Sequence, residues 1–239
     1  MGPPRTAGRH PAAENDFADP RVLERLRTAV EELSWLLGRG YSPPASHQLV
    51  GDRHQLDAPL RAAMIRCACS PEAQAGRSQH EVALPDLSGR TLAVDAYNVI
   101  TTVQVALAGG VVLLGRDGCA RDLASIHGCA RDPEQQIDAA RRVGEMLEPL
   151  GLATVRWYLD RPVSRSAELA GQLTGLARER GWQWAVELVQ SPDGVLARTL
   201  DVAATSDSAV LDRCASWFNL ARRVVEACVP GAMVIDLSG

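Results

Sequence analysis

Lysine is missing from the 239-residue chain: all 25 of its basic residues are arginine. A G-x-x-x-x-G-K-[ST] phosphate loop is therefore excluded outright. A high-GC genome, which also enriches alanine and glycine, accounts for most of this bias. Guanidinium recognition of phosphate is the functional alternative. Other signatures are absent too. No G-x-G-x-x-G follows the first apolar strand, and residue 97 is Tyr where a D-x-D phosphatase would need a second aspartate. No G-x-S-x-G marks a serine hydrolase. The six cysteines follow no secreted framework and lack the C-x-x-C spacing of strong zinc sites. With no secretory h-region opening the chain, reduced thiols and a cytoplasmic location are expected. Residues 96–115 carry no charge, but Asn98, Thr101, Thr102, Gln104 and Gly109–Gly110 interrupt them, so they read as core rather than a membrane span. A net charge of −4 argues against a broad basic coat while leaving room for a local groove.

A hydrophobic share of 46% supplies a sizeable core. Residues 1–18 are rich in Pro, Gly and Ala and are expected to be a disordered tail. Asp19-Pro20 reads as an N-cap followed by proline at the first helical position. The helix it opens places Val22, Leu23, Leu26, Val30, Leu33 and Leu36 on one face. Further helical pieces at SHQLVG and around 58–69 complete a small all-helical domain over 19–70. Residues 71–90 are expected to be a linker.

Over 91–239, strands alternate with helices. TLAVD, VVLLG, ATVRWYLD, WQWAVELVQ, LDVAATSD and AMVIDLS read as strands, with SPDG as a turn. NVITTVQVALAGG is ambiguous between helix and strand. DPEQQIDAARRVGEMLEPLG, SRSAELAGQLTGLARERG and SWFNLARRVVEACV read as helices. The fold class is α/β: a mostly parallel central sheet flanked by helices and preceded by the helical domain.

Three strand ends in this pattern carry aspartate: Asp95, Asp160 and Asp207. Open parallel sheets bind ligands at the carboxyl ends of their strands. Carboxylates gathered there repel one another unless a cation compensates, and Mg²⁺ or Mn²⁺ suits an all-oxygen set. Each aspartate also has a plain structural role available, as a helix cap or an Asx turn.

VDAYNV followed much later by ATSDSAVL resembles the PIN-like nuclease superfamily, including its NYN branch. The whole chain, over about 20–239, resembles a two-part prokaryotic family of unknown function (number 434) with a PIN-like C-terminal part. WLLGRGYS and LVGDRHQL carry that resemblance in the helical unit, and RDG--RD, YLDRPVS and TSDS carry it further along. The superfamily resemblance implies a metal-dependent nuclease, with RNA the expected substrate. Asp95, Asp160 and Asp207 would be catalytic carboxylates and metal ligands.

That superfamily usually adds a fourth acidic residue. Here Asp117 and Asp122 are the better candidates and Asp132 the weaker. The GCARD pentapeptide at 118–122 and 128–132 reads as coincidence or loop duplication. Asn98, Arg116, Arg121, Arg161, Ser164, Arg165, Thr205 and Ser208 are candidate substrate contacts. Surface arginines and helix caps are their bland alternatives. His127 beside Cys129 reads as ordinary loop residues. The helical domain could present substrate or mediate a homodimer. A catalytically inactive module that binds RNA, nucleotide or a protein remains the alternative function.

Overall fold

The computed structural model describes residues 17–123 and 132–239. The described residues among 1–78, 105–130 and 231–239 form one compact unit, and those among 79–104 and 131–230 form another. The chain therefore passes between units more than once. The expectation of a helical domain followed by a single α/β domain over 91–239 gives way to an interleaved arrangement.

In the first unit, helices α1 (Pro20–Gly38), α2 (Pro43–Arg53), α3 (Ala58–Cys67) and α4 (Pro71–His80) accompany a three-stranded sheet. Its strands are β2 (Val111–Leu114), β3 (Ala120–Asp122) and β7 (Met233–Asp236), in the order β3-β2-β7. Strand β2 pairs antiparallel with β3 and parallel with β7. Asp19 caps α1 by accepting from the Arg21 amide at 2.8 Å, with Pro20 at the first helical position as expected. Asp57 caps α3 the same way, through Leu60 N at 3.1 Å. The apolar stripe of α1 (Leu26, Val30, Leu33) is buried together with Met64, Val111, Leu113 and Leu237. A small sheet drawn from distant parts of the chain supplies a further layer for this core.

Two local expectations change. The stretch expected as a linker begins with α4 and continues as a 3₁₀ turn at Leu84–Leu87. The expected tail falls outside the described residues up to 16, and Phe17 is 1% exposed within the core of the first unit.

The second unit is built on a four-stranded sheet of order β5-β4-β1-β6, with every pairing parallel. The strands are β1 (Thr91–Asp95), β4 (Thr154–Asp160), β5 (Trp184–Val189) and β6 (Val202–Ala204). Leu92, Ala93 and Val94 of β1 are fully buried, as expected of a central parallel strand covered on both faces. The outer edge of β6 is covered by residues 216–218, with Ala203 N donating to Ser216 O at 2.9 Å and Phe218 N to Ala203 O at 2.8 Å.

The ambiguous segment after β1 is helix α5 (Ala96–Leu107), despite its β-branched residues. Helix α6 (Pro133–Leu147) packs on α7 (Ser166–Arg180) and on α10 (Leu220–Cys228). SPDG, expected as a turn, opens the short helix α8 (Pro192–Leu196), and α9 (Ser208–Leu211) follows β6. No helix among the described residues is long and apolar enough to cross a membrane. Cys67, Cys69, Cys214 and Cys228 are free thiols.

Candidate acidic site at the carboxyl edge of the parallel sheet

Strand order fixes where a ligand would sit. In chain order the sheet starts at β1, adds β4 and β5 on one side, and then places β6 on the other side of β1. In open parallel sheets a ligand sits at such a reversal of strand order, outside the carboxyl ends of the strands, here those of β1 and β6.

Each of the four strands delivers an aspartate to that edge. Asp95 and Asp160 are the last residues of β1 and β4. Asp193 lies in the first turn of α8, just after β5, and Asp207 is the N-cap of α9, just after β6. Helix α8 packs against β1, β4 and α9, which brings Asp193 among the other three.

Asp95 is 7% exposed. Its Oδ1 accepts from the Asn98 amide at 3.2 Å and its Oδ2 from Thr205 Oγ1 at 3.2 Å. Burial pushes its carboxyl up to about 7, and the negative charges of Asp193 and Asp160 add to the push against the relief of those two hydrogen bonds. The carboxyl of Asp193 is also raised, first by burial and then by Asp207 and Asp160.

Asn98 ties the edge together. Its Oδ1 accepts from Ser206 N at 2.8 Å and Ser206 Oγ at 3.0 Å, bridging the ends of β1 and β6. Thr205 Oγ1 accepts from Asp207 N at 3.1 Å while facing Asp95. Asn98 and Thr205 thus hold the frame of the site, whatever they do for a ligand. Asp207 Oδ1 accepts from Val210 N at 3.0 Å, so it serves as a cap and leaves its other oxygen for further use.

The donor chemistry fits a hard divalent cation: oxygen atoms only, several negative charges, and one buried carboxyl driven toward neutrality. Among the described residues, however, no three His, Cys, Asp or Glu side chains stand around one point as ligands of a single ion. The aspartates gather at one edge without closing into a coordination sphere.

The arginine and serine candidates divide. Arg161 is exposed at the end of β4, where its Nη2 donates to Leu188 O at 3.1 Å. Arg165, in a left-handed backbone conformation (φ 67°), is engaged bidentately by Glu168 at 2.8 and 2.9 Å. Ser164 is exposed in the same loop, and Ser208 begins α9.

Asp117, Asp122, Arg116 and Arg121 belong to the first unit. The Asp117 side chain is 1% exposed, and Arg121 (2.6 and 2.7 Å) and Arg77 (2.5 Å) grip its oxygens. Against the burial that would raise it, the two guanidinium groups hold its carboxyl at about 2. A carboxylate so neutralised is a poor metal ligand, and a guanidinium so occupied is a poor phosphate clamp. Asp117 and Arg121 are structural, and the RDG--RD pattern is explained by their pairing across the β2–β3 turn. The Asp122 carbonyl accepts from Arg66 Nη1 at 3.0 Å, and its residue is 7% exposed. Arg116 N donates to Cys67 O at 2.8 Å, and its Nε is buried with no hydrogen-bond partner. Asp132 caps α6 through Glu134 N at 3.0 Å. His127, Cys129 and most of the second GCARD copy lie outside the described residues.

The sequence reading missed Asp193. Its signal was present: Ser191-Pro192 is an N-cap and first-position proline directly after a strand, which puts the next residue at the sheet edge. Reading SPDG as a turn hid it.

No solved structure matches this chain. The archaeal protein MJ0935 of Methanocaldococcus jannaschii, described as uncharacterized, is 26% identical over 186 residues, covering 78% of this chain and 88% of that protein. Residues 25–80 match the family described as "Protein of unknown function (DUF434)", in agreement with the resemblance read from WLLGRGYS and LVGDRHQL. The C-terminal part matches a separate family instead of an extension of that one, and no PIN-like or NYN family is among these matches. Residues 84–223, more than half of the chain, place it in the family described as "Domain of unknown function (DUF5616)", to which the protein belongs.

Proposed function

We propose that the protein is a metal-dependent nuclease acting on RNA at the carboxyl edge of its parallel sheet, with a PIN-like domain architecture. The observation that carries this reading is an aspartate at or just after the carboxyl end of each of the four parallel strands. Asp95, Asp160, Asp193 and Asp207 would hold Mg²⁺ or Mn²⁺. Such an ion supplies Lewis acidity toward a phosphodiester and a water of lowered pKa. Thr205 and Asn98 orient the Asp95 carboxyl and fix the separation of the β1 and β6 ends. Arg161, exposed after β4, would meet phosphate oxygens from that side.

The test is hydrolysis of mixed RNA and single-stranded DNA with Mn²⁺, Mg²⁺ or EDTA, by wild type, Asp95→Asn and Asp207→Asn. Asparagine is as good an N-cap as aspartate, so the second variant keeps α9. Cleavage should need the cation and vanish in both variants while circular dichroism is unchanged. Cleavage that persists in EDTA or in either variant refutes the proposal.

A second reading, a catalytically inactive module that binds RNA, nucleotide or a protein, is favoured by two observations. Both Asp95 oxygens already accept hydrogen bonds from the protein, and the aspartates do not converge on one point. Nucleic-acid binding without cleavage, undiminished in both variants, would decide for it.

A further inference from the structure

Beside the acidic edge the second unit contains a small cavity of about 20 Å³, lined by Tyr97, Gln136, Ser164, Arg165, Glu168 and Gln172 among others. Gln136, on α6, is 5% exposed, and its Nε2 is buried with no hydrogen-bond partner. A buried amide donor without an acceptor is costly, so either a ligand or a resident water completes it. Tyr97 joins the cavity to the acidic edge. It follows Asp95 by two residues, and its hydroxyl lies 3.1 Å from Ser166 Oγ, which donates to Asp160 O at 2.5 Å. Ser164 and Arg165 belong to the loop that leaves Asp160 and are exposed, so the cavity is at the surface.

Size and lining select the group that fits. About 20 Å³ holds roughly one water-sized group and excludes a base or a phosphate. The lining offers donors (Gln136, Ser164, Arg165) and acceptors (Glu168, Gln172), which suits a group that both accepts and donates. Glu168 and Arg165 neutralise each other in the lining, so the cavity offers no net charge to an ion. Alkyl groups would leave Gln136 unmet.

We propose that this cavity takes the 2′-hydroxyl of a ribonucleotide running past the acidic edge, with Gln136 Nε2 donating to it, and so selects RNA over DNA. The inference rests on the nucleic-acid reading of that edge. The 2′-hydroxyl is the group by which a protein can tell the two polymers apart at one site.

The experiment measures binding by fluorescence anisotropy of a 12-mer made as RNA, DNA and 2′-O-methyl RNA, with Mg²⁺ present. The cleavage-blocked Asp95→Asn protein is compared with Asp95→Asn carrying Gln136→Met or Ser164→Ala. One uncharged hydrogen bond gives RNA an expected advantage of about five-fold over DNA. The 2′-O-methyl strand should fall to the DNA level, because its methyl group does not fit the cavity. Gln136→Met should bring the RNA and DNA affinities together, and Ser164→Ala, an exposed change that leaves the core intact, should narrow the gap. Equal binding of RNA and DNA by the parent overturns the proposal, as does an RNA preference that survives Gln136→Met, which would mean that a water alone fills the cavity. Absence of binding to all three strands also overturns it. These arms read affinity, so their failure is separable from the cleavage test above.

Discussion

Replacing Asp95 by asparagine should make the protein more stable at alkaline pH, even while it abolishes the proposed activity. The carboxyl of Asp95 is raised from 3.8 to about 7 by burial and by Asp193 and Asp160. Between those two values the folded protein holds a proton that the unfolded chain releases. Stability therefore declines as pH rises through this window, and the full penalty is present above 7. A shift of this size corresponds to about 4 kcal/mol. Asparagine reproduces the protonated form: its Oδ1 can accept from Asn98 N, and its amide can donate to Thr205 Oγ1, which has a lone pair to spare. Urea unfolding without divalent ions, followed by tryptophan fluorescence, reads the effect, because Trp157, Trp182, Trp184 and Trp217 all lie in the second unit. The two proteins should be similar near pH 4, and the variant should gain about 4 kcal/mol by pH 8. Mn²⁺ should restore part of the difference to the wild type at pH 8 and do little for the variant. If the gap is the same at both pH values, the account of Asp95 is wrong.

Four other outcomes are expected. Asp193→Asn removes a charge that raises Asp95, so the Asp95 carboxyl followed by carbon NMR should titrate at lower pH than in the wild type. Asp117→Asn leaves two buried guanidinium groups without their counter-charge and should cost about 3–5 kcal/mol in chemical unfolding. Because the Asp117 carboxyl is held at about 2, its stabilisation in the wild type should be complete above its ordinary value of 3.8 and decline only as pH falls toward 2. At Gly144 on α6, an added Cβ would lie 2.1 Å from the Trp182 ring, so Gly144→Ala should lower stability by about 1–3 kcal/mol, measured as a lower melting temperature.

Local chemistry was easy to read in the sequence and distant pairing was not. The Asp19-Pro20 cap and the strand at TLAVD follow from rules spanning a few residues, and they stand as expected. The alternation of strand and helix pointed to a parallel sheet, and its carboxyl edge does collect Asp95, Asp160 and Asp207. What failed was partner choice. VVLLG and AMVIDLS look like any apolar strands, and nothing local says that they leave the main sheet to pair with each other. Asp117 and Asp122 matched an acidic pattern, but Arg77, forty residues upstream of Asp117, decides that Asp117 is an ion-pair partner. The loose spacing of the aspartates is likewise a tertiary property, set by hydrogen bonds such as Asn98 to Ser206.

The placement of β7 has a consequence for handling the protein. Because Met233–Asp236 completes a sheet begun at Val111–Leu114, segments of the two units alternate along the chain. One protease nick, wherever it falls, cannot release either as an intact fragment, and stopping expression near residue 230 would leave β2 with a raw edge. Dissection into halves should instead excise 105–130 and graft the final strand back by a short tether.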